Sequence, residues 1–202
     1  EQAIAAIRAA QDHLAQVGAH TVLAMHYIFG PVFHNTGCAM LPAAWPWLGH
    51  WLFLAGFRAR SSEIRLRRSM KERPEPLELP AGSELREHVA EGRALGASAN
   101  LDEWDLYIDG ENAAQCHNAF GENYVRGAGH DAVHTEWLGV AERFRGRGLA
   151  RAMLRLGMVR AWDRGSRVAT LTTAGINFRA QALYITEGYA QTDTMWDFHI
   201  PH

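Results

Sequence analysis

Two glycines, Gly146 and Gly148, stand two positions apart just ahead of a run in which Leu149, Met153, Leu156 and Val159 recur at helical spacing. This feature constrains the fold most. The spacing predicts a helix over Leu149 to Trp162, with Gly165 ending it. Glycines at the mouth of that helix let the backbone turn tightly and aim several N–H groups at one point. The orphan donors of the helix's first turn aim at the same point. An anion held there would also lie close to Arg143, Arg145 and Arg147. A diphosphate suits such a cradle better than a carboxylate does, although the same residues also make a plain tight turn. A dinucleotide fingerprint would need a third glycine and an acidic residue on the following strand, and a P-loop would need Gly-Lys-Ser/Thr; the chain has neither here.

Around this point the periodicity alternates between strand and helix. Trp104 to Ile108 reads as a strand that meets Asp109-Gly110, a hairpin turn signal, with Ala113 to Phe120 returning. Gly121 to Asp131 is a glycine-rich loop and His134 to Val140 a further strand. After the helix come a strand over Val168 to Thr172, a short helix over Asn177 to Thr186 capped by Gly188, and a terminal strand over Thr192 to Ile200. Upstream, Ala3 to Leu14 reads as a helix ending near Gly18, Thr21 to Tyr27 as a buried strand, Pro42 to Leu54 as a helix ending at Gly56, and Glu63 to Met70 as a strand. Lys71 to Pro80 reads as a linker in which Leu77 and Leu79 can make a short strand. Ser83 to Leu95 is a helix candidate with Ser83 as its N-cap.

The order helix, glycine, strand, loop, helix, Gly-aromatic, strand describes Ala3 to Met70 as well as Leu149 to Ile200. Gly18 matches Gly165, and Gly56-Phe57 matches Gly188-Tyr189. Such a repeat points to two copies of one fold, the first lacking its front half. The expected division is a partial first half over residues 1–72 and a full domain over residues 73–202.

With 202 residues, 48% of them apolar, the chain can bury a core without staples, and a formal net charge of -2 does not ask for nucleic acid. The apolar stretch Ala39 to Phe57 is interrupted by Pro42, Pro46, Gly49 and His50, which argues against a membrane span. No basic-then-apolar leader begins the chain, and Glu1 in place of Met suggests a processed or partial one. Cys38 and Cys116 match no metal-ligand spacing and read as buried thiols of a cytoplasmic protein. His117 on one strand and His134 and Glu136 on another show no local metal spacing, and no metal site is expected. The aromatics Trp45, Trp47, Trp51 and Phe53 suit core, subunit interface or acceptor surface, with core favoured by the helical spacing of Trp47, Trp51 and Leu54.

Arg143, Gly146 and Gly148 also reproduce, residue by residue, the Arg-x-x-Gly-x-Gly of the GNAT superfamily of N-acyltransferases, which this sequence resembles. The strand ending Leu138-Gly139-Val140 is similar to that family's splayed fourth strand, and the segment from Asn177 through Ala180 and Tyr184 to Glu187-Gly188-Tyr189 is similar to its second signature. The match runs from about Trp104 to the end. The resemblance implies an α/β (α+β) acyltransferase fold with a mixed, mostly antiparallel sheet, here preceded by a partial second copy as in tandem relatives resembling mycothiol synthase. Such relatives usually open with a strand and two helices that wall the acceptor site, and only Pro76 to Ser98 is available for that purpose.

Acetyl-CoA is then the implied cosubstrate, held by Leu138, Gly139, Val140, Arg143, Phe144, Arg145, Gly146, Arg147, Gly148, Leu149 and Ala150, with Asn177 and Ala180 beside the pantetheine arm. Asn177 can equally be a helix cap. The implied reaction is direct attack by an amine, so no nucleophile elbow is required. Tyr184 matches the family's general acid and is also a candidate core aromatic. Glu136 and His134, two apart on one strand and hence expected on one face, are the candidate bases, with His130 and Asp131 behind them. The expected function is an N-acetyltransferase on a small-molecule amine, without nucleic-acid or membrane partners, forming a homodimer or packing its two halves together. The alternative is a non-catalytic acyl-CoA-binding or regulatory module.

Overall fold

The structure is a computed structural model that describes residues 1–25, 40–94, 97–120 and 132–201, with backbone alone for 89–94 and 97–100. Cys38, His130, Asp131 and the glycine-rich loop lie outside the described residues.

The elements in chain order are α1 (Gln2–Gln16), β1 (Leu23–Ala24), β2 (Leu41–Pro42), α2 (Pro46–Leu54), β3 (Arg58–Ser69), β4 (Glu84–Ala94), β5 (Ala97–Ile108), β6 (Glu111–Phe120), β7 (Ala132–Val140), a 3-10 turn (Glu142–Phe144), α3 (Leu149–Asp163), β8 (Val168–Ala174), α4 (Phe178–Thr186) and β9 (Ala190–His199). They build one nine-stranded sheet in the order β1-β9-β3-β8-β7-β6-β5-β4, with β2 also on β9. Among the described residues only β7 and β8 run parallel; the other pairs are antiparallel.

Local chemistry explains the second half well. Asp109 and Gly110 both take positive φ, 52° and 78°, as a two-residue hairpin turn that follows the right-handed twist of β5 and β6 requires. The stripe Leu149, Met153, Val159 on α3 is buried, and the helix packs on β6 and β7. At Gly157 a Cβ would stand 2.8 Å from Asn118 Nδ2 and 3.2 Å from Cys116 Sγ, so the close seat of α3 on β6 depends on the missing side chain. Leu66, Leu154, Met158 and Leu171 close the core between β3, β8 and α3.

Several expectations need correction. Ser83 to Leu95 is the strand β4, paired with β5 from Glu84↔Tyr107 to Ala94↔Ala97. Helix propensity differs by only tenths of a kcal/mol per residue among ordinary side chains, and ladder bonds along the whole of β5 outweigh it. The helix expected from Pro42 starts at Pro46, because Leu41 and Pro42 pair with Trp196 and Met195 of β9. Proline at the first helical position, with no N–H to satisfy, suits that start. The strand expected over Thr21 to Tyr27 pairs only at Leu23 and Ala24, and Tyr27 is not described. Leu77 and Leu79 form no strand.

The sheet runs without a break across the expected division at residue 72. The single sheet does not show a second copy standing beside the first. β3 lies upstream of that boundary, yet it pairs with β8 from Glu63↔Ala174 to Ser69↔Val168 and with β9 from Arg58↔His199 to Arg67↔Ala190. It therefore separates two strands that are consecutive in the chain. Expected outcome: Leu66→Ala, at a fully buried β3 position, lowers the unfolding free energy by about 2–5 kcal/mol. Urea titrations followed by far-UV circular dichroism and by tryptophan fluorescence should move together; displacement of one probe alone would mean that β3 belongs to a separate folding unit.

Candidate functional site

The parallel pairing of β7 and β8 stops early. It holds from Ala132↔Val168 to Thr135↔Leu171, after which β7 stays with β6 as far as Ala114↔Val140 and β8 stays with β3 as far as Ala174. Beyond Thr135 and Leu171 the facing edges of the two strands have no strand partner across the gap among the described residues. This leaves a wedge lined by backbone donors and acceptors, into which an extended chain can add as a strand. Leu138, Gly139 and Val140 lie along one side of it, all partly buried.

At the point of the wedge the register of β7 slips: His117 pairs with Trp137 and Asn118 with Thr135, leaving Glu136 as the extra residue of a β-bulge. A bulge interrupts the strict alternation of side chains, so two-residue periodicity does not fix the faces of Glu136 and His134. Their surroundings differ too. The Oε1 of Glu136 is buried without a hydrogen-bond partner among the described residues, and burial pushes its carboxyl up to about 7. His134 is buried in the sheet with Nδ1 2.9 Å from Thr170 Oγ1. Burial, helped by the charge of Arg65, pushes its imidazole down to about 3. At neutral pH it is an uncharged group within a hydrogen-bonded ladder.

The wedge opens toward the glycine turn. Gly146 and Gly148 take φ of 79° and 78°, the left-handed region that a side chain strains, and a Cβ built on either meets nothing within 4 Å. The space over the turn is therefore open, as a phosphate cradle requires. Phe144 is buried and anchors the turn; the guanidinium groups of Arg143 and Arg147 lie 4.7 and 5.2 Å from its ring centroid. Arg143 also pairs with Glu111, while Arg145 donates to the Val140 carbonyl at 3.3 Å. All three arginines are exposed at the head of α3, where the helix N-terminus adds positive potential. Leu149 is buried beneath the turn and Ala150 partly so.

Across the wedge, Asn177 caps α4: its Oδ1 accepts from the Ala180 N–H at 3.3 Å and its Nδ2 donates to Thr173 Oγ1 at 3.3 Å. Ala180 packs on the core, and Tyr184 is the one buried residue of α4, its ring 5.9 Å from that of Tyr189. Burial pushes the Tyr184 phenol up to about 12 and the nearby Cys116 thiol likewise to about 12, so both are neutral at physiological pH. His117 lies 4.0 Å from Glu103, and among the described residues no three metal-ligating side chains are placed to hold an ion. No described helix is long and apolar enough to cross a membrane.

Sequence reasoning missed a charged cluster next to α4. Glu187, 4% exposed, receives Arg155 at 2.7 Å and Arg151 at 2.9 Å, and Arg68 of β3 donates to its carbonyl at 2.6 Å. Arg151 and Arg155, four apart on α3, offered a weak hint that they share a face. Nothing in the sequence linked them to Arg68, more than 80 positions away.

Glu136 also makes stability depend on pH. Its folded carboxyl titrates higher than its ordinary 4.5, so its favourable contribution is complete below 4.5 and is lost as pH rises through about 7. His134, shifted the other way, contributes above its ordinary 6.5 and loses that contribution as pH falls toward 3. Denaturant titrations across this range should therefore show Glu136→Gln gaining on the wild type as pH rises from 4.5 to about 7, then levelling. A stability difference that is the same at every pH would contradict the burial of an unpaired carboxyl.

The sequence profile of the Acetyltransferase (GNAT) family matches residues 82–189, just over half of the chain. No curated protein sequence matches it. Among solved structures, a GCN5-related N-acetyltransferase from Sphaerobacter thermophilus is 16% identical with a TM-score of 0.62, covering 94% of this chain and 63% of its own. A tandem GNAT protein from the clavulanic acid biosynthesis pathway is 14% identical with a TM-score of 0.61, over 89% of this chain and 62% of its own. A GCN5-related N-acetyltransferase from Kribbella flavida is 16% identical with a TM-score of 0.54, over 78% and 65%. The chain thus spans less than two thirds of each of these structures, and at such identities they speak for the fold alone. With the profile match, the wedge between β7 and β8 and the glycine turn ahead of α3, the chain belongs to the GNAT acetyltransferase family.

Proposed function

We propose that this protein is an N-acetyltransferase that moves an acetyl group from acetyl-CoA to a primary amine of a small molecule. The observation that carries the reading is the wedge itself: an unpaired buried carboxylate oxygen at its point and an open, arginine-rimmed glycine turn at its mouth. On this reading the turn from Arg143 to Gly148 and the first turn of α3 hold the diphosphate, and the free edge of Leu138 to Val140 pairs with the pantetheine arm. Asn177 acts as the cap of α4 on the other bank, with Ala180 packed behind it.

Acetyl-CoA supplies a thioester whose carbonyl the amine attacks, forming a C–N bond as the C–S bond breaks. Glu136, with its carboxyl near 7, is suited to take the proton that the amine nitrogen must lose, directly or through a water. Tyr184, neutral because its phenol is held near 12, is suited to return a proton to the departing sulfur. His134 has too little basicity for the first task at about 3, and we assign it to holding the β7–β8 pairing through Thr170.

The tandem reading also finds support in the strand order. Across β1-β9-β3-β8, exchanging β1 with β8 and β3 with β9 leaves both the order and the antiparallel pairings unchanged. We read residues 1–72 as a partial copy that has exchanged its last strand with the second.

Calorimetric titration with acetyl-CoA tests the cradle: wild type should bind, and Gly146→Val should lose at least about tenfold in affinity by placing a strained side chain over the turn. Normal affinity in that variant would move the diphosphate elsewhere. Thiol release across a panel of amines tests the chemistry. Glu136→Gln should lower turnover by roughly 100-fold or more and remove an acid limb of the pH profile near 7. Tyr184→Phe should lower turnover much more than it lowers cofactor affinity. Tight acetyl-CoA binding with no release for any amine would favour a non-catalytic acyl-CoA-binding module.

A further inference from the structure

We propose that Arg68 and Glu187 are positioning residues for Tyr184, so that β3, which lies outside the family-matched segment, helps set the geometry of acetyl transfer. The inference rests on the acetyltransferase reading and concerns how α4 is held.

Apolar packing holds one side of α4, where Ala180, Leu183 and Tyr184 meet the core. Tyr184 is its only buried residue, while Phe178 and Ile185 on the same helix are 71% and 61% exposed. Charge takes over at its C-terminal end. The Glu187 carboxylate is withdrawn from water and clamped by Arg155, whose Nε and Nη2 reach its two oxygens at 2.7 and 3.3 Å, and by Arg151 at 2.9 Å. Arg68 Nη1 donates to the Glu187 main-chain carbonyl at 2.6 Å and lies 3.9 Å from the carboxylate. The main chain carries this restraint to Tyr184: its carbonyl accepts from the N–H of Glu187 at 3.1 Å and from that of Tyr189 at 3.0 Å.

Arg68 is itself well fixed. Its backbone is in register with Ala169 of β8, and its guanidinium also lies 3.6 Å from the Met158 sulfur on α3. A buried ion cluster of this kind adds little net stability, because desolvation offsets much of the attraction, but it penalises every arrangement that leaves the carboxylate unpaired. The consequence is one seat for α4 relative to α3 and β8. The two elements aligned in this way are the one that carries the candidate acid and the one whose head forms the cradle.

The test uses the full chain with Arg68→Met, which keeps the apolar stem and removes the donors; Glu187→Gln is the companion if that variant folds poorly. Because a displacement of about 1 Å can cost roughly 100-fold in rate, kcat should fall roughly tenfold or more. Coenzyme A affinity should stay within about twofold, since the cradle is untouched. In a Tyr184→Phe background the same substitution should cause no further fall, because the group being positioned is gone. An equal fall in both backgrounds, or a loss confined to coenzyme A affinity, overturns the proposal. A second readout needs no turnover: in protein labelled with 13C at the tyrosine ring, the Tyr184 resonance, assigned with Tyr184→Phe, should shift in Arg68→Met while that of Tyr107 stays. An unmoved Tyr184 resonance also overturns it. A wild type that releases no thiol would instead sink the acetyltransferase reading and leave the resonance to decide the positioning.

Discussion

β8 is paired with β3 along its whole length on one side, and with β7 only from Val168 to Leu171 on the other. The rest of the molecule follows from this asymmetry. A strand that loses one partner halfway along must keep the other or leave its backbone groups unsatisfied, and each such group costs on the order of 1–3 kcal/mol when buried. β3 keeps β8 straight while β7 turns away to follow β6. The parting creates an edge inside a sheet, sheltered enough to be selective and open enough to admit an extended ligand. The glycine turn and the head of α3 stand where that opening ends.

Two glutamates whose carboxylates are withdrawn from water show opposite uses of the same physics. Glu187 has three guanidinium groups around it and fixes the relative places of β3, α3 and α4. Glu136 has one carboxylate oxygen buried without a hydrogen-bond partner among the described residues. Burial without compensation raises its proton affinity into the neutral range, which an amine-accepting site can use and a purely structural site would avoid. The bulge that isolates Glu136 also starts the departure of β7 from β8, so the local geometry that opens the wedge also sets the carboxyl apart.

The elements that sequence reasoning read well are those whose signals are local. The Asp109-Gly110 hairpin, the stripe of α3 and the cap at Asn177 depend on neighbours within a few positions, and they stand as expected. The strand β4 was misread as a helix because an edge strand of mixed polar residues carries no clear period of two, and only β5 beside it decides the matter. His134 is a candidate base by its place two residues from Glu136, and the burial that lowers its basicity comes from the depth of the sheet around it. The shared face expected for Glu136 and His134 assumed an unbroken strand, and a bulge is defined by the partner strand's register.

By itself, then, the sequence determined the family, the glycine turn, the hairpin and the cap at Asn177, because each is written in residues a few positions apart. The tertiary structure decided what required distant segments to meet. It inserted β3 between β8 and β9, drew Arg68 to Glu187 across more than a hundred residues, and left one oxygen of Glu136 buried without a partner among the described residues. Pairing and burial are properties of the folded neighbourhood, so no spacing within one strand or helix can announce them.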